Sequence, residues 1–416
     1  MLDDSRPCIV VVSSSGYDAL CRRGALVAPL AQHECVFVFA PEVAVPPAGG
    51  PARETHTVEL DAGGEGLTEL LRSIGRRRRV AQIVSICEDE SLPVVAARHR
   101  LGLPGLDEAR ALRFRDKLLM KAAVPAHLIA TPAGCAAEDA AAVRALRARG
   151  GRLLLKPRRG SGARGIRNLD SALDIDRLLD RAPEYRAAFL VEAYVEGALL
   201  HLDAVVRGGR LLFSALGRYE APPLAFGAGA WAGTRFSNAD TPLHARARQI
   251  LLALLQAWSV SDGVFHWEFF DTGEDLVFGE IAIRPPGGDL SRALFETFGV
   301  HLVEEHVRVQ LGLDSALTGA AGAIAHGACL FYLAREPGVF LDLSGTHSAG
   351  SALAHVQLRA EPGQAYGAAR HSADSLLGCC LRAGSAERLE EAMRALKAGV
   401  KLRLGDARVG VDRVPG

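Results

Sequence analysis

Apolar positions along this chain follow two rhythms. Continuous short runs read as buried strands, and apolar residues spaced three or four apart read as helices with one packed face. Ile9–Val12, Cys35–Ala40 and Val80–Ile86 are runs of the first kind. The stretch after SSSG to about Leu30, and Gly66–Arg76, have the second pattern. Strands alternating with helices predict a small parallel α/β domain over residues 1–105. Asp107–Ala123 then reads as one helix, preceded by the turn LGLPG. Gly151–Asn168, GRLLLKPRRGSGARGIRN, reads as a strand, a glycine-rich turn and a returning strand. A helix at Ser171–Ala182 and a strand at Phe189–Val195 follow, and Leu199–Val206 with Arg210–Leu216 form a hairpin around RGG. Residues 217–240 are dense in glycine, proline and aromatics, and read as one long loop of the kind that often serves as a lid. Beyond it the pattern predicts helices at Thr241–Ser259, Leu290–Phe298, Val300–Leu313 and Ala386–Lys397. Short strands are predicted at Ala328–Ala334, Ala354–Arg359 and Ser375–Leu381.

The segment Gly263–Gly288, GVFHWEFFDTGEDLVFGEIAIRPPGG, carries the most chemistry. It reads as two strands, Val264–Phe270 and Leu276–Arg284, joined by DTGED. Phe265, Trp267, Phe269, Val277, Gly279, Ile281 and Ile283 are apolar or small and share one parity, while His266, Glu268, Glu280 and Arg284 share the other. Alternate side chains on a strand point to opposite faces, so one face packs on a core and the other gathers two carboxylates, an imidazole and a guanidinium. Adjacent carboxylates repel unless protonated or given a cation, and hard oxygen ligands suit Mg²⁺. Glu88, in ICEDE, follows the third N-terminal strand, where open α/β sheets present ligands. That domain is Rossmann-like in layout but lacks G-x-G-x-x-G after its first strand, which excludes dinucleotide binding there. The glycine-rich turn is no P-loop either, although Gly160, Gly162 and Gly165 allow backbone N–H groups close to an anion, with Ser161 as a further donor.

Composition narrows the classes. The 416 residues are 49% hydrophobic and 23% charged, enough for several globular domains. Forty-eight basic residues balance 48 acidic ones, so charge gives no reason to expect nucleic acid or an anionic membrane as partner. Arg76–Arg79 is a local exception that reads as a solvated helix end. Eight cysteines without metal-type spacing fit a reducing compartment, and the adjacent Cys379 and Cys380 fall in an apolar segment that reads as core. MLDDSRPC is acidic and unlike a signal peptide, and no apolar run approaches spanning length. A cytoplasmic protein is expected.

In order along the chain, LGLPG, RDK at Lys117, LLKP followed by GSGARG, FLVEAYVEG, G-x-x-H-x-E and E-x-x-x-R-P-x-G-G together resemble the ATP-grasp superfamily, in particular its L-amino-acid ligases. The last two motifs, at this separation, are the specific ones. The resemblance implies a Rossmann-like domain (1–105), a small ATP-grasp subdomain with a mobile phosphate loop (106–196), a large subdomain with the metal and carboxylate site (197–320) and a C-terminal α+β subdomain (321–416). It implies Lys117, Lys156, Gly160, Ser161, Gly162, Gly165, Glu192, Val195 and His201 as ATP contacts. Glu268 and Glu280 become ligands of Mg²⁺ or Mn²⁺. Arg284, Lys156 and Glu280 become catalytic, and Arg284, Gly287, Gly288 and Glu88 bind substrate. The implied reaction is ATP-dependent joining of a small-molecule carboxylate to an amine, with a homodimer as the candidate assembly. Two departures stand out: Ala282 where the superfamily commonly has Asn, and Leu199 where many members place a carboxylate near the ribose. A biotin-carboxylase-like or purine-type ATP-grasp enzyme and a degenerate ATP-binding regulator are the alternative readings.

Overall fold

The computed structural model describes residues 7–46, 54–60, 63–221, 231–317, 323–334, 336–369 and 374–405. Every residue of β1 (Cys8–Ser13) is buried, as a central parallel strand with both faces covered must be. With β2 (Glu34–Phe39), β3 (Thr55–Thr57) and β4 (Val80–Ser85) it forms a parallel sheet in the order β3-β2-β1-β4. Helix α1 (Glu65–Gly75) buries Leu67, Leu71 and Ile74 on this sheet, and α2 (Ser91–Arg100) adds Val94 and Ala97 to the same cluster. The helix expected up to Leu30 is not formed. In its place are a 3-10 turn at Asp18–Leu20, a two-residue hairpin (Cys21–Arg22 with Ala25–Leu26) and one helical turn at Ala28–Ala31. Arg23 and Gly24, at φ 51° and 81°, supply the left-handed pair that a tight hairpin turn needs and a helix cannot contain.

The predicted Asp107–Ala123 helix is two: α3 (Glu108–Arg113) and α4 (Lys117–Ala122). Each starts behind an aspartate whose side chain accepts backbone N–H groups, Asp107 from Arg110 and Asp116 from Leu118 and Leu119. The second cap sets Lys117 at the first position of α4.

A four-stranded antiparallel sheet follows, β5 (Gly134–Ala136), β6 (Leu153–Pro157), β7 (Arg167–Leu169) and β8 (Phe189–Ala193), in the order β5-β8-β6-β7. Helices α5 (Ala140–Ala148) and α6 (Ala172–Leu179) pack Val143, Leu146, Ile175 and Leu178 on Leu153, Leu155 and Val191.

The largest sheet has eight strands. It contains β9 (Ala198–Arg207), β10 (Arg210–Tyr219), β11 (Trp231–Ser237), β12 (Gly263–Asp271), β13 (Leu276–Ala282), β14 (His326–Leu333), β15 (Leu353–Leu358) and β16 (Ser375–Ala383), ordered β13-β12-β9-β10-β11-β14-β16-β15. Helix α7 (Pro242–Ala257) covers one end, packing Leu251, Leu254 and Leu255 with Trp267, Phe269 and Phe278. Helices α8 (Leu290–Phe298), α9 (Leu302–Gln310) and α10 (Ala386–Gly399) complete the large part, beside a three-stranded sheet of Ala365–Tyr366, Gly338–Ser344 and Lys401–Gly405.

Two sequence expectations fail here. Residues 217–240 are not one loop: β10 runs to Tyr219, and β11 buries Ala232, Thr234 and Phe236 in alternation between β10 and β14. Residues 222–230, the rest of that expected lid, lie outside the described residues. The parity along β13 is also broken. The register shifts between Glu268 and Phe269, and Leu276 and Phe278 become the core residues rather than Val277 and Gly279. A Cβ on Gly279 would stand 2.6 Å from the Glu268 carbonyl oxygen, so glycine is needed at this bulge. All eight cysteines are free, with Cys379 and Cys380 buried as expected. No helix among the described residues is long and apolar enough to cross a membrane.

Candidate functional site

The bulge has a chemical consequence. It returns the pairing to register so that Glu268 stands directly opposite Glu280, and His266 opposite Ala282. The two carboxylates are neighbours on one face of the sheet, on the floor of a cavity of about 360 Å³. Lys117, Lys156, Gly160, Ser161 and Gly162 line it with them. Glu192, Val195, Arg284, Gly287 and Gly288 also line it, with Leu154, Leu199 and Phe270 as apolar wall. A second cavity of about 750 Å³ shares Ser161, Gly162, Arg164 and Arg284 with the first, and Glu88 lines it. Arg284 therefore stands on the seam between the two.

Each cation in this region is paired with an anion of the chain. Lys117 Nζ lies 2.9 Å from Glu280 Oε2 and donates to the Gly160 carbonyl at 2.6 Å. Burial pushes Lys117 down, but Glu280 and Glu88 outweigh it and the ammonium is raised above its ordinary value. Glu192 is buried between two lysines, Lys156 at 3.1 Å and Lys121 at 3.0 Å. Burial lowers Lys121 despite Glu192. Arg284 Nε donates to Glu88 Oε2 at 2.9 Å, and Arg115 Nη1 donates to Glu88 Oε1. Burial would raise Glu88, yet the two guanidiniums hold its carboxyl at about 2.

Beneath Glu268 lies a polar layer. Tyr219 donates its hydroxyl to Glu268 Oε1 at 2.5 Å, and His266 Nε2 is 3.4 Å from the same oxygen. Asp203, fully buried, accepts from His201 Nδ1 and His266 Nδ1, each at 2.7 Å. Burial would push His266 down, but Asp203 lifts it to about 10. Burial likewise opposes the ionised form of Glu268, while His266 and Tyr219 favour it and its carboxyl is lowered.

Two expected ATP contacts need correction. His201 does not reach the cavity: it is fully buried, with both ring nitrogens engaged by Asp203 and Thr234. Its ring fills the space above Gly217, where a Cβ would stand 2.0 Å from Nε2. Gly165 does not line the cavity either; at φ 74°, with Pro157 3.0 Å from where a Cβ would be, it shapes the loop that carries Gly160–Gly162. Sequence reading also missed members of the site. Lys121 had a usable signal, since it lies one helical turn from Lys117. Tyr219 was hidden in the supposed loop, Asp203 carried no motif of its own, and Arg115 stood in RDK, where only Lys117 was taken as a site residue.

Two adjacent carboxylates with only oxygen donors, in a cavity they share with lysines, are a donor set that fits Mg²⁺ or Mn²⁺. Glu268 and Glu280 would hold it. The cationic end of the cavity, beside an apolar wall, suits a nucleotide with its phosphates toward Lys117 and Lys156.

No family model matches the sequence. An L-arginine-specific L-amino acid ligase of Bacillus subtilis is 27% identical over 244 residues, 57% of this chain. The match spans 59% of that relative's length. Among solved structures, an L-amino acid ligase from Bacillus licheniformis matches 96% of this chain and 100% of its own, with a TM-score of 0.74 and 14% identity. A phosphoribosylglycinamide synthetase from Anaerococcus prevotii matches 96% and 99% (TM-score 0.67, 12% identity). An N5-carboxyaminoimidazole ribonucleotide synthetase from Thermus thermophilus matches 94% and 98% (TM-score 0.63, 20% identity).

Proposed function

Because this chain has the ATP-grasp fold, we propose that it is an ATP-dependent carboxylate–amine ligase that activates the carboxylate of an amino acid and joins it to an amine. The observation that carries this reading is the placement of Arg284. It stands between a cavity floored by Glu268 and Glu280 and walled by lysines, and a second, larger cavity able to take a substrate. The similarity to a relative named for amino-acid ligation favours an amino acid over bicarbonate or formate.

A carboxylate is a poor electrophile. One of its oxygens attacks the γ-phosphorus of ATP, ADP leaves, and the resulting acyl phosphate is open to an amine. The amine nitrogen then forms the C–N bond, loses a proton, and expels phosphate. This chemistry depends on positioning and charge neutralisation more than on covalent help. Lys117 and Lys156 exchange Glu280 and Glu192 for phosphate oxygens, and Arg284 exchanges Glu88 for the substrate carboxylate. Glu88, so released, faces the second cavity as a partner for a substrate ammonium group. A divalent cation on Glu268 and Glu280 supplies neutralisation of phosphate charge.

Incubating the purified chain with ATP, Mg²⁺ and a panel of amino acids, alone and in pairs, tests the proposal. ADP release that depends on the pair and yields a product heavier by one acyl group is expected. ADP release driven by bicarbonate would favour a purine-type or biotin-carboxylase-like enzyme, and ATP binding without turnover would favour a regulator.

Two further outcomes follow from the site. Nucleotide and Mg²⁺ draw Lys117 away from the Gly160 carbonyl and onto phosphate, so residues 158–165 should become protected from protease when both are added. Unchanged cleavage there would mean that the loop is not a lid. Ala282 cannot coordinate a cation, so water or substrate fills the position that Asn would take. Ala282→Asn is expected to lower the Mg²⁺ concentration for half-maximal rate without changing the amine accepted. Ala282 lines a cavity of about 410 Å³ distinct from the one that Glu268 and Glu280 line, so the titration also reads whether an Asn here reaches the cation. An unchanged or higher Mg²⁺ requirement would mean that the site is built for a small residue.

A further inference from the structure

Glu268 and Glu280 are not equivalent carboxylates. Glu280 Oε2 is paired with Lys117, which a phosphate can draw away. Glu268 Oε1 is instead held by two neutral-or-cationic groups of the chain itself, Tyr219 and His266, which stand beside it in the lining of the first cavity. The Tyr219 hydroxyl donates to it at 2.5 Å, and His266 Nε2 faces it at 3.4 Å. Behind His266 stands Asp203, which touches neither cavity and is fully buried. A carboxylate only accepts hydrogen bonds, so at 2.7 Å both His266 Nδ1 and His201 Nδ1 carry protons toward it. That contact fixes the orientation of the His266 ring. His201 is in turn locked by Thr234 Oγ1 at 2.7 Å, and its ring lies 5.2 Å from that of Tyr219. Glu268 Oε2 has no hydrogen-bond partner among the described residues.

We propose that Tyr219 and His266 are positioning residues that occupy Oε1 of Glu268, with Asp203 orienting His266, and that they leave Oε2 as the single oxygen Glu268 offers a cation. This rests on the reading of Glu268 as a metal ligand. A carboxylate limited to one oxygen suits a small octahedral ion such as Mg²⁺ or Mn²⁺. Ca²⁺, larger and of higher coordination number, gains more from a carboxylate free to bind through both. The device therefore sets both metal affinity and discrimination against Ca²⁺.

The test is Mn²⁺ binding to the full chain with ADP, followed by electron paramagnetic resonance, with Ca²⁺ as competitor. Tyr219→Phe keeps the ring beside His201 and removes only the hydroxyl. Asp203→Asn changes the buried carboxylate at constant size, and its folding is checked by thermal melting. Groups that orient metal ligands typically contribute about 10–100-fold in metal affinity, so Tyr219→Phe should weaken Mn²⁺ by about tenfold and let Ca²⁺ compete better. The loss should fall on Mn²⁺ affinity and Ca²⁺ competition while the thermal melt of Tyr219→Phe stays where it was, which a merely structural role would not predict.

Glu268→Gln separates the two levels of the argument. If it leaves Mn²⁺ binding intact, the metal reading itself is wrong. If it abolishes binding while Tyr219→Phe changes neither Mn²⁺ affinity nor Ca²⁺ competition, the positioning role is overturned. Zinc in the purified protein would also overturn it. His201, Asp203 and His266 offer three ligand atoms within 4.8 Å of one another, and a bound ion there would replace the hydrogen bonds on which the proposal stands.

Discussion

Glu280→Gln should leave a folded protein that forms no ADP. Glu280 is partly exposed, at 35% of its side chain, and the amide keeps its shape and its place opposite Glu268. What it loses is the charge that holds Lys117 and, in the proposed reaction, a cation. A neutral amide is a poor ligand for Mg²⁺, whose preference is for charged, hard oxygens. A rate loss of about a hundredfold or more is expected, the scale of removing one group that stabilises transition-state charge. The measurement is ADP formation at saturating amino acids and ATP, with a thermal melt on the same sample. A soluble variant with near-normal turnover would remove Glu280 from the reaction.

Arg284→Lys should fail nearly as badly although it keeps the charge. Arg284 uses Nε and Nη2 together on Glu88 and Nη1 on the Pro285 carbonyl, a fork that one ammonium cannot reproduce. In the proposed reaction the same fork binds the substrate carboxylate that takes the place of Glu88. Loss of a bidentate donor to a developing charge predicts a fall of about a hundredfold in kcat/KM. ATP affinity should be unchanged, because the lysines and the glycine-rich loop do not depend on this guanidinium. Weakened ATP binding would place Arg284 on the nucleotide instead.

The carboxylate pair was legible in the sequence because strand parity survives translation into structure wherever pairing is regular. Glu268 and Glu280 were found that way, and the parallel N-terminal strands from continuous apolar runs, whereas Arg284 lies two residues past the end of β13, the strand predicted to carry it. Parity failed at Val277 and Gly279, since a bulge adds one residue to a strand and inverts the faces beyond it. Gly279 was the visible clue. The region at 217–240 was misread because its glycines and prolines obscured Trp231–Ser237, a strand whose burial comes from neighbours distant in sequence. The break before Lys117 was missed for a different reason. Asp116 looked like a polar helix residue, and only its hydrogen bonds to Leu118 and Leu119 reveal a cap. His201 was assigned to the nucleotide through the family resemblance, whereas three-dimensional packing against Tyr219 and Thr234 decides its surroundings. Asp203 could not be read at all, because a buried carboxylate has meaning only through the two histidines it touches.

In the proposed reaction this site activates a carboxylate by phosphorylation. Amino acids labelled with ¹⁸O in the carboxylate test it most directly, with the released phosphate examined by mass spectrometry. An acyl phosphate keeps one carboxylate oxygen on phosphorus when the amine displaces it, so each phosphate should carry one ¹⁸O. Unlabelled phosphate, released together with a new C–N bond, would contradict the account.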